Sequence, residues 1–372
     1  MAHIIDYIAW RGDIPFSVSP LNAVDALILS QLSYLQFGGI VPGDFTSSGT
    51  DAVPLSEVSK RFFASEDFKA RSNVGAFINP LSVELLKCAG ESVRFGSLKL
   101  SGYVEKLDYG AEEQFCAVTF SGPEWHFIAF RGTDDTILGW KEDFNLGYKE
   151  RVPAQEDSLL YVTQAAAVLD GSLVIGGHSK GGNLALYSAA MAEESVQNCI
   201  TAVYDNDGPG FSKEFFKSEK YARVKDVLHT YVPHMSIVGM LFCHPEQISI
   251  VENDTKDIIR QHDPFTWHVK ATGFAECEEL GNESRFFGET VNGWFSDLAN
   301  EEKELFVETL FGILSASGAK TNSELSNNWF ESSMKMIKSA ASLNSHTKDA
   351  VFKTIQLLFK TGMEGIMRDI RT

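Results

Sequence analysis

The chain has 372 residues, 44% of them hydrophobic, enough to bury one large α/β core with an appended part. Its formal charge of -18 speaks against an extended basic face, and therefore against nucleic-acid phosphate as a partner. The five cysteines (Cys88, Cys116, Cys199, Cys243, Cys277) are scattered and form no C-x-x-C pair, so neither a zinc site nor a disulfide framework is expected. The opening residues lack the basic and apolar regions of a signal peptide. No apolar run approaches the ~18 residues of a membrane helix. The expectation is a reduced, cytoplasmic protein without an integral membrane segment.

In chain order, residues 20–37 carry apolar positions at helical spacing behind a proline and an asparagine, which predicts a helix. Residues 38–80 are irregular, with Gly, Pro and Ser punctuation followed by Phe62, Phe63, Phe68 and Phe77. They read either as a flap over a site or as surface loops and short helices. Strand-like runs follow at Leu98–Leu107, Cys116–Phe120 and Trp125–Phe130, the last two joined by the turn Ser121-Gly122-Pro123-Glu124. A helix over 157–170 leads into the short apolar strand Leu173–Ile175, and further strands are expected at Ile200–Tyr204, Val227–Val232 and Ile248–Val251. Strands alternating with helices predict a mostly parallel, mixed sheet flanked by helices. From about residue 281 to 372 the pattern turns helical, with apolar stripes in Glu301–Leu314 and Ala350–Ile370. The expected division is an α/β domain over 1–280, including the N-terminal helix and the possible flap 38–80, and a helical extension over 281–372.

The chemistry centres on Gly177-His178-Ser179-Lys180-Gly181, which fits G-x-S-x-G between a strand and a helix. In such a nucleophile elbow the serine occupies a strained turn, and the small residues on either side let strand and helix pass closely. A serine hydroxyl needs a base to take its proton and an acid to orient that base, and in elbow enzymes the chain order is Ser, acid, His. His262, in Arg260-Gln-His-Asp-Pro-Phe-Thr-Trp267 beyond the last strand, is the candidate base, with His234 as its rival. Asp207 or Asp205, at the end of the strand after the elbow helix, is the candidate acid; Asp254 and Asp257 are alternatives. The oxyanion donors are expected to be the Lys180 N–H and Thr133, the latter through its N–H and its hydroxyl. No metal or organic cofactor is required.

Phe130-Arg-Gly-Thr133, then Trp140 and Asp143-Phe-Asn, then Gly-His-Ser-Lys-Gly-Gly-Asn-Leu-Ala resemble the class 3 (fungal-type) lipases of the α/β-hydrolase group. Asp6–Asp13, Val232–Met240 and the Gln261–Trp267 run resemble an uncharacterised bacterial lipase-like family more closely. The similarity spans roughly residues 95–270. It implies an α/β-hydrolase fold, Ser179 as nucleophile, Thr133 and Lys180 as oxyanion donors, and a small-molecule or lipid ester as substrate. Two positions depart from the fungal pattern: Thr230 replaces the aspartate before Val-Pro, and Lys180 replaces a leucine, with its side chain expected in solvent. The resemblance therefore leaves two functions open, an ester-cleaving serine hydrolase or a lipase-like fold kept as a binding module.

Overall fold

The computed structural model describes residues 1–45, 51–75, 78–134, 136–257, 260–282 and 298–316, together with Ser284, Arg285, Gly288, Asn292, Ala319, Lys320, Thr321 and Glu324. Phe77, the Ala350–Ile370 stripe and most of the expected extension lie outside the described residues.

Among the described residues, nine strands form one mixed sheet in sequence order: β1 (Val53–Pro54), β2 (Lys99–Asp108), β3 (Glu113–Ser121), β4 (Trp125–Phe130), β5 (Ser172–His178), β6 (Ile200–Asn206), β7 (Leu228–Pro233), β8 (Ser249–Val251) and β9 (Glu276–Cys277). β4 through β8 pair in parallel and the two margins are antiparallel. The centre is apolar on both sides: eight of nine residues of β3 are buried, as are six of seven of β5. Buried strands of that kind need helices on both faces.

The alternation of side chains divides the core. Val118, Phe120, Phe127, Ala129 and Val174 face one way and pack on the N-terminal helices Ile4–Arg11, Ala23–Leu32, Leu55–Ala64 and Leu81–Glu91. Phe115, Ala117, Ile128, Phe130, Leu173, Ile175 and Val203 face the other way and pack on the crossover helices Pro153–Val168 and Lys180–Met191. Strands laid down consecutively with right-handed crossovers place those crossover helices on one face, so the other needs cover from elsewhere in the chain. The first ninety residues supply it. Ala23–Leu32 is buried at all ten positions, and Asn22 caps it by accepting from the Val24 and Asp25 amides.

Leu55, Val58 and Phe62, within the segment expected as flap or surface loop, are buried in this second layer. Their helix belongs to the core because its apolar residues recur at helical spacing on a single face. The helix Asn300–Ala316 buries Phe306, Val307, Leu310, Phe311, Ile313 and Leu314 against Ile137. Among the described residues, no helix is long and apolar enough to cross a membrane.

Candidate active site

Ser179 joins β5 to the helix Lys180–Met191 at φ 60° and ψ -135°. A non-glycine residue in that region carries strain of about 1–3 kcal/mol and needs surrounding structure to hold it. The hold comes from two backbone bonds, Ser179 N to Asn206 O (3.0 Å) and Gly182 N to Ser179 O (2.9 Å). It also comes from close crossing of strand and helix. A Cβ on Gly177 would stand 2.1 Å from the Gly181 carbonyl carbon, and one on Gly181 would stand 2.2 Å from the Phe130 carbonyl oxygen. Only glycine fits at either place.

His262 ends a short 3-10 turn, Arg260–His262, rather than lying in the irregular loop expected from sequence. Its Nδ1 lies 2.6 Å from Asp207 Oδ2. Asp207 follows β6 with φ 55°, and its amide donates to Tyr231 O at 2.7 Å. Its other oxygen, Oδ1, accepts from the Ser236 hydroxyl (2.5 Å) and the Gly239 amide (3.1 Å). A fully buried carboxylate survives in this setting because donors surround it.

The remaining candidates are placed elsewhere. Asp205 is buried and accepts from the Gly208 amide, and burial pushes its carboxyl up to about 7. Asp254 pairs with His268 and His3, and Asp257 accepts from the Arg260 amide. His234 Nδ1 contacts Glu279 O at 2.8 Å. Thr230, at the position where the fungal pattern has its acid, has a buried hydroxyl oxygen with no hydrogen-bond partner.

Gly132-Thr133 lies directly beside the elbow: a Cβ on Gly132 would come within 3.0 Å of Ser179 Cβ. The expectation that Thr133 offers its hydroxyl as well as its N–H needs correction. The hydroxyl donates to Asp143 Oδ2 at 2.6 Å, and a hydroxyl has a single proton. Burial raises the Asp143 carboxyl to about 6, against the opposing pull of Lys180 and the Thr133 hydrogen bond.

The Lys180 side chain also departs from expectation. It is buried, not solvated, with Nζ bonded to Glu142 Oε2 (2.8 Å), Gln114 O (2.8 Å) and Gln114 Oε1 (2.9 Å). A buried ammonium needs a counter-charge, and helix Ile137–Asn145 brings Glu142 to it. The Lys180 N–H itself opens the helix, where amides lack intrahelical acceptors.

One functional-looking residue escaped the sequence reading. His178 is buried beside the His262 ring, with centroids 4.4 Å apart, and its Nε2 lies 2.8 Å from the His262 carbonyl oxygen. A carbonyl only accepts, so Nε2 carries the proton, while the Tyr34 hydroxyl lies 3.2 Å from both Nδ1 and the His178 carbonyl oxygen, which share its single proton. Burial holds His178 well below its usual range, and therefore neutral. The signal was its place directly before Ser179.

The Mbeg1-like family model matches residues 89–312. The chain belongs to the Mbeg1-like family. No curated protein matches this Mbeg1-like chain. Among solved structures it is similar to the Rhizomucor miehei lipase propeptide complex, at 20% identity over 45% of this chain, with a TM-score of 0.33. The match spans 66% of that lipase complex chain. A deletion mutant of the same complex matches at 17% identity over 62% of this chain and 82% of its own, with a TM-score of 0.35. M37 lipase matches at 13% identity over 74% of this chain and 95% of its own, with a TM-score of 0.33.

Proposed function

We propose that this Mbeg1-like protein has an α/β-hydrolase fold and is a serine hydrolase that cleaves carboxylic esters, lipid esters among them, through an acyl-enzyme on Ser179. The observation that carries the proposal is the 2.6 Å contact of His262 Nδ1 with Asp207, in a chain whose strained elbow serine precedes both. With the Nδ1 proton donated to Asp207, Nε2 is left as the base. It takes the Ser179 proton as Oγ attacks the acyl carbonyl, and the developing oxyanion accepts from the Lys180 and Thr133 N–H groups. His262 then returns the proton to the leaving alcohol. Water, deprotonated the same way, releases the acid and frees Ser179. This chemistry uses no cofactor.

A fluorophosphonate probe tests it. Wild-type protein takes one label, at Ser179, and Ser179→Ala takes none. A folded wild type that stays unlabelled overturns the proposal in favour of the binding module.

A further inference from the structure

Away from Ser179, three side chains from two distant parts of the chain converge on one point. His3 comes from the start of the first helix, and Asp254 and His268 flank the stretch that carries His262. One ligand-type atom from each lies within 4.8 Å of the others. His268 Nε2 is 2.5 Å from Asp254 Oδ1, and His3 Nε2 is 2.6 Å from Asp254 Oδ2.

The far sides of both rings are alike. His268 Nδ1 lies 3.5 Å from Glu252 Oε2, and His3 Nδ1 lies 3.6 Å from Asp6 Oδ2. Each imidazole thus sits between a backing carboxylate at Nδ1 and the shared Asp254 carboxylate at Nε2. Histidines that bind metal commonly have a carboxylate behind Nδ1, which leaves the Nε2 lone pair for the ion. Here Glu252 and Asp6 stand behind the rings without a direct hydrogen bond, and His268 Nδ1 is buried with no hydrogen-bond partner. Both Nε2 atoms meet the Asp254 carboxylate, at 2.5 and 2.6 Å, and His3 Nε2 is buried there. A carboxylate oxygen that close to a ring nitrogen calls for positive charge between them, supplied by a proton on Nε2 or by a metal ion in its place.

We infer that His3 Nε2, His268 Nε2 and the Asp254 carboxylate form a binding site for a zinc-type divalent transition-metal ion. Two imidazoles and one carboxylate suit such an ion better than magnesium or calcium, which prefer all-oxygen sets. Ligand bonds of about 2.0–2.1 Å place tetrahedral neighbours roughly 3.4 Å apart. The present contacts of 2.5 and 2.6 Å are shorter than that, and the half-exposed Asp254 is the ligand with room to adjust. Its solvent-facing side leaves the fourth position to water.

The site staples a particular join. Val269 N donates to Ala2 O, His268 N to Glu252 O, and Asp254 N to Thr266 O, so the loop is closed at its base and sewn to the N-terminal segment there. A metal would lock that base beneath the His262 turn. Binding does not depend on the reading of Ser179 as a nucleophile.

The test is cobalt(II) and zinc(II) titration of the metal-stripped, tag-free full chain, followed by calorimetry, visible absorption and thermal melting. The expected result is one equivalent bound, ligand-field bands of four-coordinate cobalt without thiolate charge transfer, and a raised Tm. Glu252→Gln, which removes only a backing carboxylate, weakens binding by about 10- to 100-fold. His3→Gln and Asp254→Asn weaken it further, with circular dichroism confirming that each variant is folded. Absence of binding to wild type, thiolate bands, or unchanged affinity in folded His3→Gln overturns the inference. Should Asp254→Asn fail to fold, His3→Gln and Glu252→Gln still decide.

Discussion

The Thr133 hydroxyl donates its proton to Asp143 Oδ2 across 2.6 Å, beside the elbow serine. While Asp143 is ionised, that proton is committed and the Thr133 N–H is the donor left for an oxyanion. Losing a full oxyanion donor costs about 10²–10³ in kcat. Thr133→Val keeps the N–H, so at pH 8 its loss with a p-nitrophenyl ester is smaller, about tenfold or less on the scale of a full donor. Asp143 takes up its proton near pH 6. Below that pH the hydroxyl is released toward the oxyanion, so the ratio of wild-type to Thr133→Val activity grows as pH falls. A ratio independent of pH counts against this assignment.

Asp207→Asn keeps an oxygen for Ser236 and Gly239 and turns an amide N–H₂ toward His262. The histidine must then hold its proton on Nε2, where it cannot act as base. The expected loss in kcat is about 10⁴-fold, by the magnitude of the corresponding change in a serine-protease triad. Asp205→Asn, by contrast, leaves the kinetics near wild type, because Asp205 bonds to Gly208 and not to His262. Steady-state kinetics of both variants separates the two aspartates.

The Asp205 carboxyl also makes stability depend on pH. Its folded value is raised to about 7 by burial, so the folded state holds a proton that the unfolded chain has released above about 3.9. The stabilisation is fully present below pH 4 and is lost as pH rises to 7. Asp205→Asn lacks this dependence. Its stability relative to wild type should improve by a few kcal/mol between pH 4 and pH 8, at roughly 1.4 kcal/mol per pKa unit. Urea denaturation at the two pH values reads the difference.

Lys180 and Glu142 form an ion pair with both side chains fully buried. Lys180→Met strands Glu142, which keeps only the Gln114 and Ala154 amides as donors. Breaking a buried pair on one side costs about 3–5 kcal/mol. The double variant Lys180→Met with Glu142→Gln should recover much of that loss in chemical denaturation. Equal stability of the single and double variants would show that the pair is uncoupled.

The elbow was legible in the sequence because its constraints are local. An apolar strand, a serine between closely placed glycines and a following helix occupy one short stretch, and steric crowding at Gly177 and Gly181 accounts for them. The strand succession was legible for the same reason, since side-chain alternation is written residue by residue. The histidine turn after β8 could be placed by chain order.

The partners were decided by tertiary structure. Nothing near Lys180 in the chain announces Glu142 or Gln114, and its burial against them reversed the expected solvent exposure. Of the four aspartates that chain order allowed, the one bonded to His262 is set by a positive φ at Asp207 and by the donors Ser236 and Gly239, contributed after the next strand. Hydrogen bonds and ion pairs act over a few ångströms of space between residues far apart in sequence. The sequence by itself therefore determined the strained serine and the sheet that presents it, and only the folded chain decided which charges meet.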